Sequence, residues 1–194
     1  AALIFVIVNA ILFVMTTYFI NSLCFYLSPI ALAVILGYSY TKRFTALCHM
    51  ILGLGLSLAP IGAYLAVTAE FAWLPIYYSI AVLFWVGGFD MIYALQDREF
   101  DKSMSLHSIP AAIGAQNSLR LSIFFHLITA SLLILAAYRA EANLYYWMGT
   151  AIFIALLAYQ HTLVKADDLS KVNLAFFTTN GIASLIFSIF VIAS

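Results

Sequence analysis

A group of carboxylates follows an apolar segment near the middle of the chain. It holds half of the eight acidic residues, Asp90, Asp97, Glu99 and Asp101. On one continuous helix, Asp90, Asp97 and Asp101 would fall within roughly 40° of one another, with Tyr93 on the same side. Carboxylate oxygens are the ligands that a hard divalent cation such as Mg²⁺ prefers. This spacing therefore predicts a metal site whose ligands are Asp90, Asp97 and Asp101.

The position of these carboxylates beside an apolar run supports the same interpretation. A carboxylate near the centre of a membrane costs about 2.5–3.5 kcal/mol, so a row of them needs a compensating partner, which a metal ion would supply. The alternative is that residues 97–102 form a solvated loop of mixed charge just outside the membrane. That alternative explains Arg98 and Glu99, but it explains neither the deeper position of Asp90 nor the shared face.

A basic pair, Lys42 and Arg43, follows another apolar run. Adjacent basic residues often do no more than fix the topology of a membrane protein. Here, however, we expect them at the same membrane face as the carboxylates. Carboxylates, a divalent cation and a guanidinium together suit a bound polyphosphate, because Mg²⁺ bridges carboxylate and phosphate oxygens and arginine binds them in bidentate fashion.

The composition places these residues in a membrane protein. Hydrophobic residues make up 65% of the chain and charged residues 8%, whereas a soluble domain has about 25% charged residues. Nothing in the composition indicates a nucleic-acid partner. We predict an all-α polytopic transmembrane bundle that forms a single domain over residues 1–194. About seven spans are expected, near 2–20, 22–40, 46–68, 72–95, 119–138, 143–163 and 173–193.

The basic residues predict the orientation of this bundle. Seven of the eight Lys and Arg residues lie on alternate connections, within or beside 41–45, 96–118 and 164–172, and only Arg139 lies on the other side. By the positive-inside rule, these three connections are cytoplasmic. We therefore expect an integral protein of a bacterial inner membrane whose acidic stripe (Asp90, Asp97 and Asp101) faces the cytoplasm.

The pattern of these residues resembles the UbiA family of intramembrane aromatic prenyltransferases. Asp90-x-x-Tyr93-x-x-x-Asp97-x-x-x-Asp101 is similar to that family's second aspartate-rich motif. Supporting matches run over most of the chain: Tyr38-x-x-x-Lys42-Arg43-Phe44-Thr45 before a Gly-rich helix that contains Pro60, Lys102 followed by Leu106-His107-Ser108-Ile109-Pro110 and Gly114, and Asn180 in the last span.

The resemblance implies Mg²⁺-assisted transfer of a polyprenyl group from its diphosphate to an aromatic acid. It implies 4-hydroxybenzoate in ubiquinone synthesis or a dihydroxynaphthoate in menaquinone synthesis as the acceptor, with membrane lipid around the prenyl tail. The implied catalytic residues are Asp97, Arg43 and Tyr93, and the implied metal ligands are Asp90, Asp97 and Asp101. The implied substrate-binding residues are Lys42, Arg43 and Lys102 for the diphosphate, Tyr93 to orient a substrate, and Asn180 to support the site. For Tyr93, an amphipathic ring at the membrane interface is an equal alternative.

The chain departs from this family in one respect. Members have about nine helices and a first motif, Asn-x-x-x-Asp-x-x-x-Asp, after the second helix, whereas this sequence begins in what resembles the third helix. We therefore expect the 194 residues to be N-terminally incomplete. Otherwise this chain alone would be inactive, because half of the metal site is missing.

Two other functional classes fit the charged residues less well. A cation-coupled transporter would place ionisable residues near the midplane of several spans, and only Asp90 approaches that depth. A CDP-alcohol phosphotransferase would need Asp-Gly and Ala-Arg pairs that the stripe lacks.

We expect Asn173 and Asn180 to share one helix face. The four histidines, His49, His107, His126 and His161, show no paired spacing and are expected to be packing or helix-end residues. His107 is the exception to note, because its loop lies beside the carboxylates.

Overall fold

The computed structural model describes residues 2–194, most of which lie in helices. Seven long helices form the bundle, and two short helices lie in one of its connections. The α-helices are α1 (Ala2–Ile20), α2 (Ser22–Thr41), α3 (Cys48–Thr68), α4 (Trp73–Tyr93), α5 (Arg98–Ser103), α6 (Ile109–Ile113), α7 (Ala115–Arg139), α8 (Leu144–Leu163) and α9 (Asn180–Ile192). A π-helical segment, Leu174–Thr179, runs directly into α9.

The predicted all-α transmembrane bundle is confirmed. Among the described residues, six helical segments are long and apolar enough to cross a membrane: α1, α2, α3, α4, α7 and the segment Leu174–Ile192. The span predicted at 143–163 corresponds to α8, which has 20 residues but is not among these six. Gln160 and His161 near its end make it less apolar than the others. The protein is an integral membrane protein.

Helix α4 occupies the centre of the bundle, because it packs against both α3 and α7. Its close approach to α3 depends on Gly53, where an added Cβ would overlap the backbone carbonyl oxygen of Leu83. Its approach to α7 depends on Gly88, where an added Cβ would overlap the imidazole of His126. Small residues at such crossings let neighbouring helices approach closely in lipid. Gly53 is such a residue in α3, and Gly88 is such a residue in α4.

A row of hydrogen bonds fixes α7 against α4. Three side chains of α7, four and three residues apart, each donate to a backbone carbonyl of α4. They are Ser122 Oγ to Gly88 O at 2.7 Å, His126 Nε2 to Trp85 O at 3.2 Å and Thr129 Oγ1 to Ala81 O at 3.1 Å. Side-chain hydrogen bonds of this kind hold helices together where lipid offers no hydrophobic driving force.

The expected single helix through all three aspartates is not what forms. Helix α4 ends at Tyr93, a turn follows, and Asp97 directly precedes the short helix α5. The chain turns because each backbone amide of residues 95–98 donates to the carbonyl three positions earlier, at distances of 3.1–3.5 Å. The span expected at 72–95 is therefore shorter, and the long loop expected at 96–118 instead contains α5, α6 and the first turn of α7.

The predicted common face of Asn173 and Asn180 is also wrong. Asn173 is exposed, whereas Asn180 is buried. The π-helical segment between them has more residues per turn than an α-helix, so the seven-residue spacing no longer returns to the same side.

Three connections meet at one end of the bundle. An apolar cluster joins Leu95 after α4, Leu119 in α7, Val164 after α8 and Val172 before the π-helical segment. The backbone N–H of His107 donates to the carbonyl of Lys42 at 2.7 Å, which brings the connection after α2 to the same end. Of the eight basic residues, only Arg139 lies away from this end of the bundle, because it is the last residue of α7. The sequence predicts this placement.

The acidic residues of the last of these connections are not part of a cluster. Asp168 is exposed, and Ser170 donates to its carboxylate from both its hydroxyl (2.6 Å) and its backbone amide (3.0 Å). These hydrogen bonds hold the pKa of Asp168 below its usual value. Asp167 and Asp168 are both exposed to solvent.

Candidate functional site

Lys42 and Asp101 form an ion pair at the end of the bundle where the connections meet. Lys42 Nζ lies 2.7 Å from Asp101 Oδ1, and the side chain of Asp101 is fully buried while that of Lys42 is 30% exposed. A carboxylate is buried at a large cost unless a charge compensates it, and Lys42 supplies that compensating charge to Asp101. The other carboxylate oxygen, Asp101 Oδ2, is buried and accepts no hydrogen bond. A second ligand of Asp101 is therefore chemically possible at Oδ2.

A second carboxylate, Asp90, is bound by a histidine. His49 Nδ1 lies 2.6 Å from Asp90 Oδ2, and the imidazole is buried while the carboxylate is 19% exposed. The backbone N–H of Ile109 donates a long hydrogen bond of 3.4 Å to the other ring nitrogen, Nε2. An amide can only donate, so Nε2 is the unprotonated nitrogen and Nδ1 carries the hydrogen that Asp90 accepts.

Backbone contacts join the two connections that carry these pairs. The thiol of Cys48 lies 3.6 Å from the carbonyl oxygen of His107. The backbone N–H of Leu106 donates to the carbonyl of Asp101 at 2.8 Å, which closes the end of α5. Together with the His107 to Lys42 hydrogen bond, these contacts fasten the segment between α5 and α6 to the segment between α2 and α3. The ends of α2, α3, α4 and α5 are thereby held as one unit.

The other predicted charged residues of the site are exposed. Asp97 is exposed, and its carbonyl accepts from the backbone N–H of Asp101 at 2.8 Å in the first turn of α5. The guanidinium carbon of Arg43 lies 5.5 Å from the centre of the Tyr40 ring. Lys102 Nζ is 3.8 Å from a carboxylate oxygen of Glu99 and is not paired with Asp101. Exposed pairs of this kind contribute little to stability, so Arg43 and Lys102 are available to an anionic ligand.

Tyr93 lies at the end of α4 and contacts the π-helical segment. Its ring centre is 4.3 Å from that of Phe176, with an angle of 30° between the rings, and 6.0 Å from that of Phe177. Contacts between aromatic rings at such short separations are favourable. Tyr93 is therefore positioned by stacking, with its ring half-buried.

Asn180 lies deeper in the bundle. It accepts from Trp85 Nε1 at 3.1 Å and donates to the carbonyl of Phe176 at 2.8 Å. Trp85 precedes Tyr93 by about two helical turns, or roughly 12 Å. The hydrogen bonds of Asn180 thus join α4 to the π-helical segment and include none of the three aspartates.

Two histidine contacts were not predicted from the sequence. The imidazoles of His126 and His161 share a hydrogen bond of 2.8 Å between α7 and α8, and His49 reaches Asp90 across 41 positions of sequence. No spacing rule joins residues on different helices, so their pairing had no signal in the sequence. The one available hint was the presence of ionisable residues inside apolar spans, which must find a partner.

The residues present suit Mg²⁺ in chemistry, though not as a complete cage. Among the described residues, no group of three or more His, Cys, Asp or Glu side chains is close enough to hold a metal ion. Mg²⁺, however, is usually bound by one or two carboxylates, with phosphate and water oxygens completing its coordination. The exposed carboxylate of Asp97 and the unpartnered Oδ2 of Asp101 fit that description. Asp90 is occupied by His49, and its role as a metal ligand stays a prediction.

A large apolar cavity lies elsewhere in the bundle. It measures about 540 Å³ and is formed by α1, α2 and α3, with Phe13, Leu27 and Leu58 in its wall. None of the predicted site residues lines it. The chemistry is better located by the buried carboxylate and its partners than by cavity size, because a membrane bundle has apolar clefts wherever helices diverge.

Comparison with known proteins gives three concordant matches. The sequence pattern of the family described as "UbiA prenyltransferase family" matches residues 1–182. A 4-hydroxybenzoate octaprenyltransferase of Francisella tularensis subsp. mediasiatica is 30% identical over 177 residues, which are 90% of this chain and 61% of the relative. One of Aliivibrio fischeri is 29% identical over 170 residues, or 86% of this chain and 58% of the relative.

A solved structure agrees with these sequence matches. The apo structure of a UbiA homolog from Aeropyrum pernix K1 superposes with a TM-score of 0.86 at 26% identity, and the match covers 96% of this chain and 69% of that one. The chain spans about three fifths of the length of the curated relatives that it matches.

Proposed function

The chain belongs to the UbiA prenyltransferase family, and we propose that its protein transfers a polyprenyl group from a polyprenyl diphosphate to an aromatic acid such as 4-hydroxybenzoate. The observation that carries this proposal is the buried Asp101, which is paired with Lys42 and lies one helical turn after the exposed Asp97. The names of the relatives support the acceptor. Family membership also favours an enzyme over the cation-coupled transporter that the sequence left open.

The diphosphate would be bound by the basic residues at this end of the bundle. Arg43 and Lys102 are exposed, and Lys42 is 30% exposed although it is paired with Asp101. Arginine binds phosphate oxygens through two parallel hydrogen bonds, while lysine acts as a point charge. These three cations would hold the diphosphate and stabilise the negative charge that grows on it as it leaves. Stabilisation of developing charge is commonly the largest catalytic contribution, a few kcal/mol per donor.

We include Mg²⁺ as the cofactor, held by Asp97 and Asp101 and, as predicted from the sequence, by Asp90. A bound Mg²⁺ neutralises negative charge on a diphosphate leaving group. The chain itself would supply carboxylate oxygens that can bind the metal ion. Asp97 is exposed, and Asp101 keeps one oxygen free because Lys42 engages only the other.

The reaction exchanges one bond of the prenyl group for another. The bond between the allylic carbon and the diphosphate oxygen breaks, and the electron pair leaves with the diphosphate. The ring carbon of the acceptor forms the new carbon–carbon bond, and its proton is lost to a base. We propose that Tyr93, the last residue of α4, orients a substrate, and the contact of its ring with Phe176 supports this role by fixing the ring. The apolar helix faces would hold the prenyl tail.

The location and the pathway are part of the same proposal. Seven of the eight basic residues lie on one side, so we propose that the site faces the cytoplasm of a bacterial inner membrane. Ubiquinone synthesis follows if the acceptor is 4-hydroxybenzoate. Menaquinone synthesis follows if it is a dihydroxynaphthoate.

The proposal is tested by a prenyl transfer assay on the native polypeptide purified from membranes. Both acceptors are assayed with and without Mg²⁺. Asp97→Asn should abolish transfer, while Asp167→Asn, the same change at an exposed position outside the site, should leave it unchanged. Absence of transfer to either acceptor by the native protein would refute the function. Full activity of Asp97→Asn would refute the metal assignment.

A further inference from the structure

His49 is a buried histidine to which the proposed reaction gives no role. It is 2% exposed, and both of its ring nitrogens are engaged. It lies at the beginning of α3, and its two partners belong to two other parts of the chain, α4 and the beginning of α6. Through these two hydrogen bonds, the imidazole joins the beginning of α3 to both α4 and α6.

The directions of its two hydrogen bonds depend on each other. The amide of Ile109 can only donate, so it requires an unprotonated Nε2 in His49. A neutral imidazole carries one hydrogen, which must then be on Nδ1, where it points at Asp90 Oδ2 at 2.6 Å. The position of the segment before α6 therefore selects the tautomer that binds Asp90. This is the same principle by which an outer partner fixes the tautomer and orientation of a functional histidine.

The surrounding contacts make this arrangement rigid. The residue before His49, Cys48, contacts the carbonyl of His107, and the amide of His107 binds the carbonyl of Lys42. The segment between α5 and α6 is thus attached to α3 at His49 and to the end of α2 at Lys42. Both attachment points belong to pairs that hold a carboxylate, Asp90 in one case and Asp101 in the other.

We propose that His49 is a positioning residue that fixes the carboxylate of Asp90 and couples it to the segment 104–109. This role of His49 rests on the proposed function, in which Asp90 is one of the acidic residues of the site. Binding to His49 occupies Oδ2 and holds the carboxylate in one orientation. The side chain is 19% exposed, so its remaining oxygen can face a ligand. A displacement of the segment 104–109 would release His49 and with it the orientation of Asp90.

Two conservative substitutions separate the two halves of this role. The amide nitrogen of an asparagine can take the place of Nδ1, so His49→Asn keeps a donor for Asp90 and loses the acceptor for Ile109. The amide oxygen of a glutamine can take the place of Nε2, so His49→Gln keeps the acceptor for Ile109 and loses the donor for Asp90. His107→Asn is the control, because its side chain is exposed and only its backbone is bound.

We expect opposite outcomes for the two variants. His49→Gln should lower kcat by about 10-fold or more, since a hydrogen bond to a charged group is lost, while amide hydrogen exchange at 106–109 stays slow. His49→Asn should retain kcat to within about 3-fold but exchange faster at 106–109. His107→Asn should match the native protein in both measurements. Equal losses of kcat in the two His49 variants, or unchanged exchange in His49→Asn, would overturn the proposal.

A second measurement does not depend on activity. The apparent Tm of the purified protein is measured for His49→Gln, Asp90→Asn and the double variant. Coupled residues should give a double variant whose loss of Tm is clearly smaller than the sum of the single losses. Additive losses would show that the two side chains do not act together. If the native protein transferred no prenyl group, the proposed function would fail, while exchange and coupling would still decide the role of His49.

Discussion

The side-chain amine of Lys42, at the end of α2, lies 2.7 Å from the buried carboxylate of Asp101 in α5. Two transmembrane helices, α3 and α4, separate the two residues in the sequence. The ion pair therefore joins the basic and the acidic motifs into one site. It also supplies the charge that compensates the buried carboxylate.

Lys42→Met should destabilise the protein. The substitution leaves Asp101 buried without its counter-charge, and we expect a loss of about 2–3 kcal/mol in the free energy of unfolding. Thermal unfolding of the purified protein measures this loss. The double variant Lys42→Met with Asp101→Asn should recover part of it, because no charge is then buried. Arg43→Met, which removes an exposed neighbouring cation, should change stability by about 0.5 kcal/mol or less.

Gly88→Ala should weaken the contact between α4 and α7. The new Cβ would overlap the imidazole of His126, and accommodating it costs about 1–3 kcal/mol. A lower apparent Tm would show this. Gly181→Ala is the matched control, because nothing lies within 4 Å of its Cβ position, and alanine should be neutral or stabilising there. Equal Tm values for the two variants would contradict the observed packing of Gly88.

Asn180→Leu should perturb the structure around Trp85. The substitution removes the acceptor of Trp85 Nε1 and the donor to the carbonyl of Phe176. Leaving buried polar groups unpaired costs about 1–3 kcal/mol each. The apparent Tm should fall and the tryptophan emission should shift. Asn173→Leu, an exposed position before the π-helical segment, should change neither quantity.

Tyr93→Phe should separate the stacking of the ring from the chemistry of its hydroxyl. The phenyl ring keeps the contact with Phe176, so the apparent Tm should not change. If the hydroxyl orients a substrate, kcat/KM for the acceptor should fall about 10-fold, the effect of one lost hydrogen bond. A fully active Tyr93→Phe variant would instead identify Tyr93 as an amphipathic ring of the membrane interface.

Several features of this protein were predictable from its sequence. Apolar runs of about 20 residues located the seven long helices, because only a helix satisfies its own backbone in lipid. The uneven distribution of Lys and Arg predicted that the connections carrying the site residues lie at one end of the bundle. The spacing of Asp90, Tyr93, Asp97 and Asp101 indicated the family, which the comparisons show.

The tertiary structure decided what those residues contact. A helical period extended from Asp90 to Asp101 predicted one stripe, but the turn after Tyr93 divides it, so Asp90 binds His49 while Asp101 binds Lys42. The π-helical segment likewise separated Asn173 from Asn180. Periodicity describes neighbours within one helix, whereas contacts between helices depend on how closely their backbones pack. At this site that packing is set by residues without a chemical role, such as Gly53 and Gly88.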